Sequence, residues 1–429
     1  MFFGDCDSRI MVITRASQAR DGGSIPLCRF PSPGRIFQMF QLSALHFVYF
    51  ACLAIASPYQ QIVLRNNGYS HTQVGALLAL GQGASVLITL LFGHLADRTG
   101  KARLTAIVAL TLMTAFFVPL AFPIAFALAA VFIFLFHGCY GAVEPMITAM
   151  SSPVLREKGT SYSSVRVYGT LGYVACGLAL SLGGLVDSSD NISILRAFLV
   201  TAGASLVCLL AFRTRPRSGK TSVPVPKQKE SSDERVDNSV LIPFIIAIFL
   251  IKLGNSSITM LLFSFMTEEL GLGNMFIFYT SIGSAGEMLL IPLSGYLVRR
   301  WRIPPVRLVA FGAVALVLRL LINVCVPSLF LVAQLMHGIT FGVMHIGATM
   351  FLFSLAPPSK TPGVISLSTA VGNNLPNMIG SLIGGAVIEY LGYNALFLGC
   401  AVPVVLGLGV LLAFRNRLGW KKSGFAPES

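Results

Sequence analysis

The chain has 429 residues, 55% of them hydrophobic and 11% charged, with a mean hydropathy of +0.76 and a net charge of +14. That balance is far from the soluble norm, and apolar runs of about 20 residues recur along the whole length, as transmembrane helices require. One soluble core could not bury them, so a polytopic, all-α membrane protein is expected. The positive charge would suit a nucleic-acid binder, but its distribution argues against one. Of the 31 Lys and Arg, all except Arg65, Arg166, Arg196, Lys252 and Arg319 fall in the tails and in alternate loops that share one side. This is the positive-inside pattern, and it puts both termini in the cytoplasm. The eight cysteines are scattered, with no CxxC and no metal-ligand spacing; they read as small core residues, and no metal is expected.

Residues 1–39 are polar, lack the apolar core of a signal peptide, and read as a disordered cytoplasmic tail. Met39 opens the first span directly and could serve as a start. The apolar runs predict twelve spans, at 40–63, 74–95, 104–121, 125–149, 165–185, 193–212, 240–265, 275–298, 305–325, 328–353, 363–387 and 393–414. Between the sixth and seventh, residues 213–239 are rich in Lys, Arg, Ser, Pro and acids and read as a solvated cytoplasmic linker. It divides the chain into bundles at 40–212 and 240–414, followed by a cytoplasmic tail at 415–429. The halves look duplicated. Gly93-His-Leu-Ala-Asp97-Arg98 ends span two and Gly295-Tyr-Leu-Val-Arg-Arg300 ends span eight. Gly183-Gly-Leu-Val-Asp187 and Gly384-Gly-Ala-Val-Ile-Glu389 repeat that offset of about 202 residues.

Only two of the seventeen acids, Glu144 and Glu287, lie well inside spans. In an antiparallel hairpin, residues equally far from the turn share a depth. Glu144 and Arg166 are equidistant from the turn read at 154–157, so they are expected to meet. The same construction levels Lys252 with Glu287, Glu287 with Arg319, and Arg319 with His337. A layer of charge across both halves follows. Such pairs could merely lock the bundles, but buried pairs are poor stabilisers, and intramembrane charges more often mark a substrate or ion pathway. A carboxylate that changes its cationic partner can take up a proton on one side and release it on the other. Glu287 is the first candidate, His337 the second and Glu144 the third. The layer holds one surplus cation, which favours an anionic solute; alternatively Lys252 snorkels toward lipid. Tyr59 and Tyr173 could stack on a ring of the solute. His46 and His137 read as packed residues, Arg196 as an interfacial anchor, and His345, eight after His337, as rotated away by roughly 80°. Asn373, Asn374 and Asn377 beside Pro376 could line a cavity or satisfy backbone groups that the proline frees.

Gly93-His-Leu-Ala-Asp97-Arg98-Thr-Gly100-Lys101-Ala-Arg103 resembles the signature loop between helices two and three of the major facilitator superfamily. The resemblance covers about 40–415 and implies two pseudo-symmetric six-helix bundles around a central cavity that opens alternately to each side. It also implies that Asp97 and its basic neighbours stabilise the cytoplasmic closure; Arg299 stands where the second copy would have its acid. Ser57-Pro58-Tyr59, the stretch Leu64 to Gly75, Arg166-Val-Tyr-Gly169, and Gln334 to His345 resemble the phenylpropionate permease group. Glu144, Arg166 and Tyr173 resemble the sugar-binding positions of the neighbouring lactose permease group, and Glu287, Arg319 and His337 its proton-coupling positions. Thr340 departs from that group, which carries a glutamate there. The sequence contains no HExxH, GxSxG or GxGxxG, so an enzyme is not expected. Span five lacks the proline of drug antiporters of this superfamily, which tilts the reading from efflux to uptake. The expectation is a monomeric, proton-driven symporter of a bacterial inner membrane, with no cofactor. Its favoured solute is an aromatic or other small carboxylate, with a sugar or nucleoside as runner-up.

Overall fold

The computed structural model describes residues 33–157, 162–212, 237–355, 368 and 370–420, and the regular elements among them are all helical. Most of the expected linker, the tail up to residue 32 and the last nine residues lie outside the described residues. Eleven helical runs are long and apolar enough to cross a membrane. The last, Val371–Ala413, is divided at Gly392, whose φ of 80° and ψ of 176° no helix can carry. Twelve spans result, and the eleventh and twelfth share this one residue as their turn.

Local chemistry sets the boundaries. The first span is a helix, Pro33–Ala56, followed by a second short one, Tyr59–Asn66; Pro58, which offers no N–H, stands at the break. The second span begins earlier than its apolar run, at His71, because Ser70 and Gln73 form a reciprocal capping box. It ends at Thr99 with Gly100 in the left-handed region. Asp190 and Asp237 cap the helices of spans six and seven.

The fourth-span helix runs from Phe126 through Glu157, so residues 154–157, expected to turn, are helical. Residues 158–161 lie outside the described residues, and the midpoint construction, which took 154–157 as the turn, does not describe this hairpin. Spans four and five do not pack as neighbours in the way it assumed: the fourth packs on the second and third, the fifth on the first and eighth.

The bundles meet through spans two and eleven and through spans five and eight. These contacts use small residues, as lipid-embedded helices do. A Cβ on Gly75 would run into the Ser381 carbonyl and Gly385 Cα, and one on Gly177 into Ser281 and Ile277. Polar bonds between the bundles concentrate at the same end. Glu268 of span seven accepts from Arg65 Nη2 at 2.8 Å and from His71 Nε2 at 3.0 Å. Gln61 donates to Ser264 at 2.8 Å, Thr72 N to Glu389 at 2.8 Å, and Ser188 Oγ to Asn274 Oδ1 at 2.5 Å. Among the described residues, no hydrogen bond or ion pair joins the bundles at the opposite end, where the basic loops lie. The polar ties described above hold the less basic face closed.

Candidate functional site

Above the closed face, between the bundles, lies a cavity of about 380 Å³. The first bundle contributes Ser57, Gln60, Gln61, Gln82, Ser85, His137, Tyr140 and Tyr173; the second contributes Thr259, Thr280, Ser284, Arg319, Gln334, His337, Asn373 and Asn374. Amides and hydroxyls supply most of the wall's polar groups, beside an apolar share that includes Leu78, Ile258, Leu262 and Phe276, and Arg319 is the single permanently charged group among the lining residues. His137 is buried, with Nε2 2.6 Å from Gln60 Oε1; Gly81 leaves room for its ring, since a Cβ there would strike it.

The second-bundle wall carries a chain of side chains. Glu287 Oε1 lies 2.9 Å from His337 Nε2, and His337 Nδ1 lies 3.2 Å from Arg319 Nη1. Arginine only donates, so Nδ1 must be the accepting nitrogen and Nε2 carries the hydrogen given to Glu287. An imidazolium would set two donors against each other at Arg319. Arg319 also donates to Thr340 Oγ1 at 3.3 Å and to Gln334 Oε1 at 3.1 Å. Thr340, at the position where the lactose permease group has a glutamate, thus supplies a neutral acceptor.

Two wide turns shape this wall. Gly338–Val343 is π-helical, as is Ala370–Asn374 before Pro376. The second carries Asn373 and Asn374, both on the cavity. Proline can offer no N–H to the preceding turn, which is the physical occasion for widening it. The first corrects the expectation for His345. Rather than turning away, His345 continues a parallel row with Phe341 and His337, at centroid separations of 5.8 and 5.6 Å. The wide turn absorbs the rotation that a regular helix would impose. Lys252 Nζ sits 4.9 Å from the Phe341 ring centroid, so it faces the tenth span and does not snorkel. The level pairs Lys252–Glu287 and Glu287–Arg319 are not among the ion pairs of the described residues; Glu287 bonds His337 instead.

Glu144 and Arg166 do meet, at 3.6 Å, with the guanidinium 4.0 Å from the Phe50 ring centroid. Their side chains are 41% and 39% exposed. Glu144 follows His137 and Tyr140 along one helical stripe, and Arg166 precedes Tyr173 by two turns. The pair is therefore displaced from the cavity toward the basic end. Tyr173 lines the cavity. Tyr59 does not: it is packed in the hydrophobic core, while its neighbours Ser57, Gln60 and Gln61 face the solute space.

At the end of span two, a Cβ on Gly93 would meet nothing within 4 Å, and Arg98 and Lys101 are exposed. Arg103 donates to the carbonyls of Leu209 at 3.0 Å and Leu210 at 2.5 Å, and so caps the sixth-span helix within its own bundle. The side chains of Asp97 and Arg299 lie outside the described residues. Sequence reasoning missed the Glu268 cluster with Arg65, His71 and Tyr393, and the glutamines of the cavity. Their signal was present as Gln60-Gln61 in an apolar span, and as Arg65, the one cation assigned to the less basic face.

A polytopic protein of two helical bundles with a polar cavity between them has the build of a membrane transporter. The chain belongs to the MFS_1 like family, whose model matches residues 39–399, and it is thus a transporter of the major facilitator kind. It is 25% identical over 390 residues to a maltose permease of Geobacillus stearothermophilus, covering 89% of this chain and 94% of that protein. It is 22% identical over 366 residues to the uncharacterized transporter YwbF of Bacillus subtilis (strain 168), covering 80% and 84%. The solved nucleoside transporter NupG shares its fold at a TM-score of 0.73, with 17% identity and coverage of 88% and 99%.

Proposed function

We propose that this protein takes up a small, hydroxyl-rich organic solute, of the oligosaccharide or nucleoside kind, by symport with protons across a bacterial inner membrane. The observation that carries the reading is the cavity wall: amides and hydroxyls from both bundles, together with the imidazole of His337, whose other side is held by the Glu287 carboxylate. Amides offer both donors and acceptors, which suits sugar hydroxyls. The names of the maltose permease and of NupG support the same solute class. An aromatic carboxylate, the solute favoured by charge count, finds less support, because Tyr59 is withdrawn into the core and Tyr173 is the one tyrosine of the expected pair on the cavity.

In this mechanism Glu287 carries the coupled proton. Protonation removes the charge that His337 Nε2–H serves, which loosens the chain to Arg319 and alters the wall seen by the solute. Opening the closed face requires Glu268 to release Arg65 and His71 while the basic face closes; re-forming those ties and opening the basic face then delivers the solute and proton to the basic side. The protein acts alone, as a monomer in the bilayer, with no cofactor.

The test is uptake into proteoliposomes under an imposed pH gradient, with maltose, uridine and 3-phenylpropionate as solutes. Accumulation of maltose or uridine, abolished by a protonophore, is expected. Glu287→Gln should abolish accumulation while sparing counterflow, because exchange needs no net proton movement. Accumulation that survives the protonophore, or full accumulation by Glu287→Gln, would overturn the coupling. Uptake of the phenylpropionate alone would overturn the solute class.

A further inference from the structure

Arg319 is 2% exposed, yet no carboxylate lies within ion-pair distance of it among the described residues. Its partners, His337, Thr340 and Gln334, are all neutral in the arrangement described above. Glu287 stands on the far side of the imidazole. A buried guanidinium without an anion is costly, and polar groups around it are left over. Arg319 Nε has no partner; neither has Gln334 Nε2, although Gln334 is 2% exposed. Asn323, one helical turn from Arg319 and fully buried, has both amide atoms unpartnered. These atoms share a sign: a cationic N–H and two amide N–H₂ groups, all donors, with the Asn323 oxygen as the one acceptor. Arg319 and Gln334 both line the cavity.

We infer that this corner of the cavity is an anion site, filled by a carboxylate on the transported solute or by a halide that enters beside it. The inference rests on the proposed hydroxyl-rich solute and sharpens it: a solute of this class carrying an acid, such as a uronosyl sugar, satisfies the amide wall and the guanidinium together. Charge-assisted bonds from arginine to a carboxylate are strong and directional. Proton coupling gains a reason as well. A proton on Glu287 neutralises the carboxylate that shares His337 with Arg319, so proton and anion each favour the other's binding, and the coupling is reciprocal.

The test measures binding to the purified full chain with matched disaccharides: maltose, and its twin with the terminal CH₂OH oxidised to a carboxylate. Both are titrated in chloride and in isethionate buffer, and chloride is titrated alone against thermal stability. A carboxylate on the solute predicts that the acid binds at least about tenfold more tightly than maltose, with Arg319→Gln erasing the preference. A halide predicts that maltose binding and thermal stability rise saturably with chloride, lost again in Arg319→Gln. Gln334→Met removes one donor at nearly constant volume and should weaken either response should Arg319→Gln misfold. Equal or absent binding of both sugars together with indifference to chloride would overturn the site. Transport of maltose with no preference and no chloride effect would leave the symport reading standing without it. Chloride binding with no sugar recognised would do the reverse.

Discussion

Removing the Glu268 carboxylate should release the closed face, and the structure sets the size of the effect. Glu268→Ala deletes two bonds between bundles, from Arg65 at 2.8 Å and His71 at 3.0 Å. The third bond, from Tyr393 at 2.8 Å, lies within the second bundle and does not hold the halves together. Both cross-bundle bonds are charge-assisted in their strongest form, but the Arg65 and Glu268 side chains are 27% and 36% exposed. Solvent screening brings each to about 0.5–1 kcal/mol. The closed arrangement therefore loses about 1–2 kcal/mol, a factor of about 5–30 in population. Hydrogen–deuterium exchange reads this directly, since amides protected by the closed face exchange in proportion to its opening. Peptides covering 59–75 and 381–393 should exchange about 5–30 times faster in the variant, while those covering 103–117 stay unchanged. Unchanged exchange at the closed face, or an equal rise at both ends, would refute the assignment of Glu268 as the tie between bundles.

Two further substitutions separate packing from gating. Gly75→Val puts a branched side chain against the Ser381 carbonyl and Gly385 Cα, so spans two and eleven must part; a cost of about 1–3 kcal/mol to the closed face is expected, seen as faster exchange at 71–78. Arg103→Ala frees the carbonyls of Leu209 and Leu210, which should lower thermal stability by about 1–3 kcal/mol with little change in the solute KM. A lowered turnover at unchanged stability would instead restore Arg103 to the gating role that its loop suggests.

The fold was readable because its causes are local: apolar runs of membrane length, caps such as Ser70, and cations confined to alternate loops. The boundaries that slipped did so where polar residues continue a helix beyond the apolar run, as at His71 and Glu157. The charged layer was half legible. Glu144 meets Arg166, though the turn assumed for that hairpin is helical; Arg319 meets His337 because depth follows from chain position. Lateral neighbours do not, so Glu287 reached His337 across non-consecutive spans. The orientation of His345 was hidden because a regular helical repeat was assumed through Gly338–Val343. The closed-face cluster draws on residues 65, 71, 268 and 393, whose sequence separations carry no periodic signal.

A π turn is in effect a one-residue insertion that leaves no loop behind. In span ten it takes up about 100° of the rotation that a regular helix would have made, so everything that follows is out of phase by one residue, while the helix lengthens by only about 1.5 Å. A related chain without the wide turn would therefore be one residue shorter within the membrane, and an ungapped alignment would match its residues to the wrong face from Met344 onward. The counterpart of His345 in such a chain is found by placing a gap inside a transmembrane helix, where alignment methods are most reluctant to put one.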